Sequence, residues 1–445
     1  MTLRLRHWRE WLIATGPVAV IYAAHLCLGA NRAGAALSLS AACALTLLVF
    51  LLRESSREAL ARVGILPVLA LLFAITLAVA AWTMTPWVPG GPHPLWTYAP
   101  EALPASSIDR GGVLVEIVKL AGLACIFLVG LCVGVERELA RRACLALVWF
   151  GSVFALLGLI GLSHAAATGD ARLYAGFGSA NNAGAVLAML SLFSAPLLLR
   201  SGSSADVSRR DHRTKAEAAI SHYAPPLGLL LLFLGCLVLT ASRGAMIAAA
   251  AGGASLLLLL LFAGRIRLRQ AGAGLLVSAV AAGALLAIKG GLAIGRFGHL
   301  AADAHIRTAA VAAHWQAFLR SPLFGYGLGS FDETNKMVLT QQLYPALWAI
   351  RALHNVYLQW LEEAGVIGAV PMFLCLGLIM VSTLKGLSAR RRSASWICAL
   401  LAADVVILVH GLADYALQVP SIAAFWALLL GLQLGLSRSS AGSRL

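Results

Sequence analysis

Stretches of mainly apolar residues, each close to the length that crosses a lipid bilayer, recur along almost the whole chain. A bilayer core needs about 20 consecutive apolar residues per helix. Twelve stretches approach that length, and we predict a transmembrane helix in each. They cover about residues 11–31, 33–52, 64–83, 112–135, 143–163, 180–200, 226–242, 244–263, 272–290, 366–384, 397–413 and 422–437. The sequence therefore predicts an all-α polytopic membrane protein that forms a single integral membrane domain over residues 1–445.

The overall composition excludes the other structural classes. Of 445 residues, 60% are hydrophobic and only 12% are charged, and the mean hydropathy is +0.85. A soluble domain averages roughly 45–50% apolar and about 25% charged residues. This much apolar surface cannot be buried in one soluble core, which excludes soluble, disordered, fibrous and small disulfide-stabilised proteins.

The net charge of +15 is explained by membrane topology. If the N-terminus lies inside, the predicted cytoplasmic segments hold most of the 34 Lys and Arg residues, as the positive-inside rule requires. We therefore predict that both termini are cytoplasmic. No segment shows a nucleic-acid recognition motif, so we expect no nucleic-acid partner.

The cysteines and carboxylates give no sign of a metal or cofactor site. All eight cysteines fall inside predicted spans, and none forms a CxxC motif, so they are interpreted as small core residues. The outer segments contain no DxD, HExxH or clustered carboxylates. We predict no metal and no cofactor.

Three outer segments are long, at about 84–111, 164–179 and 291–365. Loops of the last length are usually functional or disordered. Residues 291–365 are rich in aromatic residues, and their apolar spacing predicts two amphipathic helices, at 303–319 and 353–364. We therefore predict that this large outer loop, between spans 9 and 10, is functional rather than disordered.

The second of these helices has a continuous apolar stripe and ends at Gly365, which suits a C-cap. We expect it to lie at the outer membrane interface, with His354, Gln359 and Glu362 pointing away from the stripe. The stripe consists of Leu353, Tyr357, Trp360, Leu361 and Ala364.

Residues 354–368, HNVYLQWLEEAGVIG, resemble the motif HNxYLxxLxExGxxG of the O-antigen ligase and polymerase superfamily. Residues 242–245 resemble its SRGA turn, and Phe177, Asn181 and Asn182 resemble an Asn-rich opening of an earlier span. The R…W…P..G.G.G.F stretch of the family is matched by Arg307, Trp315, Pro322, Gly325, Gly327, Gly329 and Phe331. The similarity covers roughly residues 175–420.

One position departs from the family pattern. Members often carry a polar or basic residue two positions before the motif histidine, where this chain has Ala352 with Arg351 one position earlier. Whether Arg351 substitutes, and which acceptor is used, stays open at this point.

The resemblance implies a glycosyltransferase of the bacterial inner membrane. It places the active site in the 291–365 loop, between spans 9 and 10, facing the periplasm. It would move a glycan from undecaprenyl pyrophosphate to an acceptor hydroxyl, above all O-antigen to the sugars of lipid A-core. A polymerase of O-antigen or exopolysaccharide repeat units is the alternative within the superfamily, and some relatives attach glycan to protein. The implied partners are the lipid-linked donor, a lipid A-core or other glycan acceptor, and membrane lipids.

A transporter is the alternative from another class, since twelve spans are typical of one. A transporter predicts internal repeats and functional charges near the membrane midplane. We find no convincing repeat, and the candidate charges gather at the outer ends of the spans. The resemblance therefore outweighs this alternative.

Three residues are the predicted catalytic set. His354 suits a general base, because an imidazole with a pKa of about 6.5 is largely neutral at neutral pH. Arg243 and Arg307 suit a pyrophosphate clamp, because guanidinium binds phosphate oxygens bidentately. The structural alternatives are a histidine that only hydrogen-bonds to a neighbour, an Arg243 that reaches lipid headgroups, and an Arg307 paired with Asp303.

A second set of residues is predicted to bind substrate. Asn181 and Asn182 equally suit capping of the helix that begins there. Packing is the stronger interpretation for Tyr357, while Gln359 would hold His354 or a sugar hydroxyl. The full set is Arg351, Arg172, Asn181, Asn182, Tyr357, Gln359 and Asp414.

Three further ionisable residues have open roles. Glu362 would orient His354 only through the tertiary fold, because two helical turns separate them. Asp404 and His410 lie in a predicted span, which makes them functional candidates. The alternative is that they pair with each other, although a spacing of six residues fits this poorly.

Overall fold

The structure, a computed structural model, is built from helices and connecting turns. It describes residues 2–166, 172–201, 212–274, 276, 300–387 and 393–438, and this part of the chain contains no β-strand. The α-helices are α1 (Thr2–Leu26), α2 (Ala33–Leu51), α3 (Glu54–Arg62), α4 (Leu66–Thr83), α5 (Arg110–Val135), α6 (Arg137–Ala166), α7 (Ala180–Leu192), α8 (Ser194–Ser201), α9 (His212–Leu239), α10 (Arg243–Phe262), α11 (Leu300–Arg320), α12 (Phe331–Val338), α13 (Tyr344–Leu347), α14 (Val356–Leu387), α15 (Ala394–His410) and α16 (Pro420–Arg438).

Nine helical segments within the described residues are long and apolar enough to cross a membrane, and α15 is a shorter apolar helix. The prediction of an all-α polytopic membrane protein is therefore confirmed, while the number of twelve spans stays a prediction. The predicted span 272–290 lies outside the described residues except for 272–274 and 276. The nine segments are Ala33–Leu51, Leu66–Thr83, Arg110–Val135, Arg137–Ser163, Ala180–Arg200, Ser221–Leu239, Arg243–Phe262, Val356–Leu387 and Pro420–Arg438.

The first helix ends earlier than the sequence predicts. We expected a span over 11–31, but α1 ends at Leu26 and a turn of left-handed residues follows, with Gly29 at φ 74°. A Cβ on Gly29 would lie 2.5 Å from Cγ1 of Val419. This close approach to the segment before α16 fixes the turn.

Helix α14 joins two elements that the sequence predicts as separate. The expected interfacial helix 353–364 and the expected span 366–384 form one element, Val356–Leu387, that is interrupted at Gly365. Gly365 has φ 62° and ψ 178°, a conformation that is essentially restricted to glycine. The prediction that a helix ends at Gly365 therefore identified the interruption, but the chain continues as a helix directly afterwards.

Helices α5 and α16 form the tightest helix pair in the described part of the bundle. A Cβ on Gly431 would lie 2.0 Å from the carbonyl oxygen of Phe127, and one on Gly130 would lie 2.4 Å from that of Leu428. Small residues allow this close backbone approach inside a membrane. Nearly all of the apolar stretch of α16, 94%, is buried inside the protein, so α16 is a central helix of the bundle.

Asp404 holds α15 against α16 and does not pair with His410. Its Oδ1 accepts a hydrogen bond of 2.8 Å from Nε1 of Trp426, and its Oδ2 accepts one of 2.8 Å from Nε2 of Gln433. Asp404 is fully buried. The alternative of an Asp404–His410 pair is therefore wrong, because both carboxylate oxygens are directed at α16.

Candidate active site

A glycine-rich loop, residues 322–329, inserts into the interruption of α14. The backbone N–H groups of Tyr326 and Gly327 donate to the carbonyl oxygens of Glu362 and Glu363, at 3.0 and 2.9 Å. In an unbroken helix these oxygens would accept from the N–H groups four residues further on. The loop thus takes over hydrogen bonds that the break leaves unmade.

The exchange is reciprocal and needs glycine on both sides. The N–H groups of Val366 and Ile367 donate to the carbonyl oxygens of Pro322 and Leu323, at 2.9 and 3.1 Å. A Cβ on Gly365 would lie 2.2 Å from the Leu323 oxygen. A Cβ on Gly325 would lie 2.5 Å from the carbonyl oxygen of Glu362. Gly325 and Gly365 are therefore explained by backbone contact between the loop and the helix.

Glu363 and Gln359 support this junction from inside the fold. Oε2 of Glu363 accepts a hydrogen bond of 2.8 Å from the Gly329 N–H, and its Oε1 accepts one of 2.8 Å from Nε2 of Gln359. Oε1 of Gln359 accepts from the Leu353 N–H at 2.9 Å. Both groups of the Gln359 amide are thus engaged in a buried network, and neither contacts His354.

Glu362 faces His314 rather than His354. Nδ1 of His314 lies 2.8 and 2.9 Å from the two carboxylate oxygens of Glu362, and both side chains are fully buried. The carboxylate of Glu362 points towards α11, so an orienting effect on His354 through the tertiary fold stays a prediction. His314 is not among the residues predicted from the sequence, where its only signal is its place two helical turns after Arg307 on the same helix.

His354 lies just before α14, at the end of the bundle where α15 stops. The Val356 N–H donates to the carbonyl oxygen of Gly411 at 2.9 Å, and Oδ1 of Asn355 caps α14 by accepting from the Leu358 N–H at 3.0 Å. The His354 ring packs edge-on against Tyr415, with 5.2 Å between ring centroids. The segment that carries the imidazole is thus fixed to the 411–415 turn.

The environment of His354 keeps its ring neutral at neutral pH. Burial lowers the pKa of His354, the charge of Asp414 raises it, and the charge of Arg307 lowers it further, with burial the largest cause. The ring is only partly covered. His354 therefore combines proton-accepting character with access from outside.

Asp414 connects the 411–415 turn to the start of α7. Its Oδ2 accepts a hydrogen bond of 2.5 Å from Nδ2 of Asn181, and its Oδ1 accepts one of 2.8 Å from the Tyr415 N–H. Asp414 is 3% exposed. Arg307 joins the same turn, because its Nη1 donates to the carbonyl oxygen of Ala413 at 3.1 Å.

Arg172 extends this group to the end of α9. Its Nη2 donates to Oδ1 of Asn181 at 3.1 Å, and its Nε donates to the carbonyl oxygen of Thr240 at 3.0 Å. We refer to the connected group as the charged cluster. It consists of Arg172, Asn181, Arg307, His354 and Asp414.

Arg243 starts α10 beside this cluster. Ser242 caps the helix by accepting from the Ala245 N–H at 3.3 Å, so Arg243 and Gly244 occupy the first turn. A Cβ on Gly244 would lie 3.9 and 4.0 Å from Cδ2 and Nε2 of His410. His410 ends α15, directly before the 411–415 turn. The first turn of α10 therefore lies against the end of α15, next to that turn.

Three predicted substrate residues are not members of the charged cluster. Arg351 is exposed, with its Nη1 3.8 Å from Oδ2 of Asp332. Asn182 is buried inside α7, and the cap of that helix is Ser179 rather than either asparagine. The hydroxyl of Tyr357 donates to the carbonyl oxygen of Leu408 at 2.7 Å, which agrees with a packing role.

Tyr357 also lines an apolar cavity of about 610 Å³. The cavity lies among α4, α5, α14, α15 and α16, and its wall includes Val356, Trp360, Phe373 and Leu408. Val356 and Tyr357 follow the His354–Asn355 pair directly in sequence. The charged cluster and a large apolar cavity therefore adjoin one another along α14.

Within the described part of the chain, no group of three or more His, Cys, Asp or Glu side chains could hold a metal ion. The cationic groups at the site are arginines, and Arg243, Arg307 and Arg172 approach it from α10, α11 and the segment before α7. Such groups can stabilise negative charge on a phosphate.

Residues 228–373 match the family model described as O-antigen ligase. The matched region contains Arg243, Arg307 and His354, and it includes the glycine-rich loop and the interruption of α14 at Gly365. No curated protein matches the chain. Over these residues, about a third of its length, this all-α membrane protein is similar to the O-antigen ligase family.

Proposed function

We propose that this protein transfers a finished glycan from undecaprenyl pyrophosphate to a hydroxyl of lipid A-core, at the periplasmic face of the bacterial inner membrane. The O-antigen ligase domain supports a glycan transferase in general. The observation that carries the specific proposal is the joint placement of His354, Asp414 and Arg307. It combines a neutral imidazole with a guanidinium at one turn.

The reaction is a single displacement. The acceptor hydroxyl oxygen attacks the anomeric carbon of the glycan as its proton passes to His354. The bond between the anomeric carbon and the pyrophosphate oxygen breaks, and undecaprenyl pyrophosphate leaves with the bonding electrons. Direct attack from the opposite side inverts the anomeric carbon.

The arginines act on the leaving pyrophosphate. Negative charge on its bridging oxygen increases as the bond breaks, and fixed cationic groups stabilise this charge. Arg243 stands at the N-terminus of α10, where helical N–H groups add a partial positive charge. Arg307 approaches from α11, and Arg172 with Asn181 holds Asp414 in place.

The apolar cavity beside the charged cluster supports a donor with a long hydrocarbon chain. Its lining is almost entirely apolar, and Val356 and Tyr357 link it to the segment that carries His354. A pyrophosphate near the arginines would thus have apolar protein surface available for its lipid. Undecaprenyl pyrophosphate has this amphipathic form.

Complementation of two bacterial strains tests the function. One strain lacks its O-antigen ligase and the other its O-antigen polymerase, each with a core oligosaccharide that matches the native host. Wild-type protein is expected to restore capped lipopolysaccharide in the first strain only, and His354→Ala and Arg243→Ala should abolish it at normal protein levels. His222→Ala and Arg62→Ala, exposed residues outside the site, are the matched controls.

Two results would contradict the proposal. A ladder of repeat units restored only in the second strain would make the protein a polymerase of the same superfamily. Full ligation by His354→Ala would remove the general base from the mechanism.

A further inference from the structure

A fully buried polar pair joins α11 to α14 behind the charged cluster. Nδ1 of His314 lies 2.8 and 2.9 Å from the oxygens of Glu362, and its Nε2 lies 3.2 Å from Oδ1 of Asn335. The ring stacks on Phe331 with 5.0 Å between centroids. Neither His314 nor Glu362 is exposed. The mechanism above uses neither residue.

The hydrogen bonds determine where the protons of this pair lie. Nδ2 of Asn335 donates to the carbonyl oxygen of Leu347 at 2.9 Å, and since a carbonyl oxygen only accepts, this fixes the amide orientation. Oδ1 of Asn335 therefore faces His314, so Nε2 must carry a proton. A second proton lies between Nδ1 and the Glu362 carboxylate. The pair holds both protons and has no net charge.

We propose that the His314–Glu362 pair is a positioning device that sets Arg307 relative to His354, an inference that rests on the proposed function. Arg307 and His314 lie seven residues apart on α11, a rise of about 10.5 Å. Glu362 lies on α14, whose first turn follows His354. The hydrogen bond between His314 and Glu362 thus connects α11, which carries Arg307, with α14, which follows His354.

The chemistry of the pair supports positioning over simple packing. A buried ionic or proton-sharing pair has a large desolvation cost, and apolar residues of the same size often stabilise a fold as well or better. The hydrogen bonds of the pair are directional, whereas apolar contacts would still form after a small shift of one helix along the other. The pair therefore fixes the register between α11 and α14 to within a hydrogen-bond length.

The first test compares two replacements of Glu362 in purified, membrane-reconstituted protein. Transfer is measured with undecaprenyl-pyrophosphate-linked O-antigen as donor and lipid A-core as acceptor. Glu362→Ala removes the bond and should lower kcat roughly 10- to 100-fold, since small misplacements of catalytic groups have effects of this size. Glu362→Gln should stay within a few-fold of wild type, because its amide N–H can donate to Nδ1 of a neutral His314. Equal loss in the two variants would overturn the inference.

A double-mutant cycle with Arg307→Ala measures the coupling between Glu362 and Arg307 in kcat. General destabilisation of the fold would not produce such coupling. If Glu362 acts by placing Arg307, Glu362→Ala should cause little further loss of kcat once Arg307 is alanine. If the loss of kcat in the double variant equals the product of the losses in the two single variants, the positioning role is contradicted. His314→Ala should show the same coupling to Arg307 as Glu362→Ala.

Asp404→Ala is the matched control, since Asp404 is another fully buried carboxylate with two side-chain hydrogen bonds. The loss of kcat in Asp404→Ala combined with Arg307→Ala should equal the product of the two single losses. If Asp404 were coupled to Arg307 as strongly as Glu362 is, the inference would be overturned. His354→Ala separates the two claims. An active His354→Ala enzyme contradicts the proposed function, whereas an inactive one with uncoupled Glu362 and Arg307 contradicts only the positioning pair.

Discussion

Asn181 donates a hydrogen bond of 2.5 Å to Asp414, across 233 positions of the chain. The contact joins the first turn of α7 to the turn after α15, and Arg172 extends it to the end of α9. Three connections between helices thus meet at one place. His354 and Arg307 are held at the same turn, which makes it the centre of the candidate active site.

The pH dependence of the wild-type enzyme should reflect a neutral His354. Burial lowers the pKa of His354 below its ordinary value, and a general base acts only in its unprotonated form. The kcat/KM of transfer should therefore stay constant as pH falls through about 6.5 and decline only below it. A decline that begins above the ordinary histidine range would contradict this assignment.

Asp414→Asn should shift the acid limb of this profile to lower pH. The charge of Asp414 raises the pKa of His354, so its removal favours the neutral ring still more. Because asparagine has only one acceptor oxygen, it cannot accept from both Asn181 and the Tyr415 N–H. The maximal rate should therefore also fall, by roughly tenfold for a buried hydrogen bond left unmade. Asp332→Asn, which removes an exposed carboxylate near Arg351, should change neither quantity, and an unshifted limb in Asp414→Asn would argue against the electrostatic link.

Arg243→Lys should fail to restore the activity lost in Arg243→Ala. A lysine keeps the charge but loses the planar pair of N–H groups that matches two phosphate oxygens. Loss of a preorganised donor to developing charge lowers kcat by roughly 100-fold or more. The measurement is kcat with the lipid-linked donor, with Arg62→Lys as control, and near-normal activity of Arg243→Lys would show that charge alone is sufficient.

Gly365→Ala should prevent the glycine-rich loop from inserting into α14. Its Cβ would lie 2.2 Å from the Leu323 oxygen, in a backbone conformation that only glycine adopts readily. Backbone strain of this kind costs about 1–3 kcal/mol before the steric clash is added. Thermal unfolding in detergent measures the loss. Gly377→Ala on the same helix, where a Cβ meets nothing within 4 Å, should be neutral or stabilising.

Much of the fold could be predicted from the sequence because each span must be apolar over its own length. Predicted spans such as 33–52 and 64–83 lie within two residues of α2 and α4. The amphipathic helix 303–319 likewise corresponds to α11. The C-cap predicted at Gly365 coincides with the interruption of α14, whereas the continuation of the helix beyond Gly365 was not predicted.

The buried polar face of α14 could not be predicted from periodicity. The apolar stripe of residues 353–364 indicated an interfacial helix with polar side chains pointing away from the stripe. In a membrane the apolar face can meet lipid, so polar side chains turn inward to find partners. Gln359, Glu362 and Glu363 are accordingly among the buried residues. Their partners on α11 and in the glycine-rich loop come from distant sequence, which spacing does not reveal.

The role of His354 as general base is tested most directly by the transfer rate of purified His354→Ala at saturating donor and acceptor. We expect kcat to fall roughly 10²- to 10⁴-fold, the usual contribution of a general base, while the protein stays folded and still binds undecaprenyl-pyrophosphate-linked glycan. A His354→Ala enzyme that transfers glycan at the wild-type rate would contradict it.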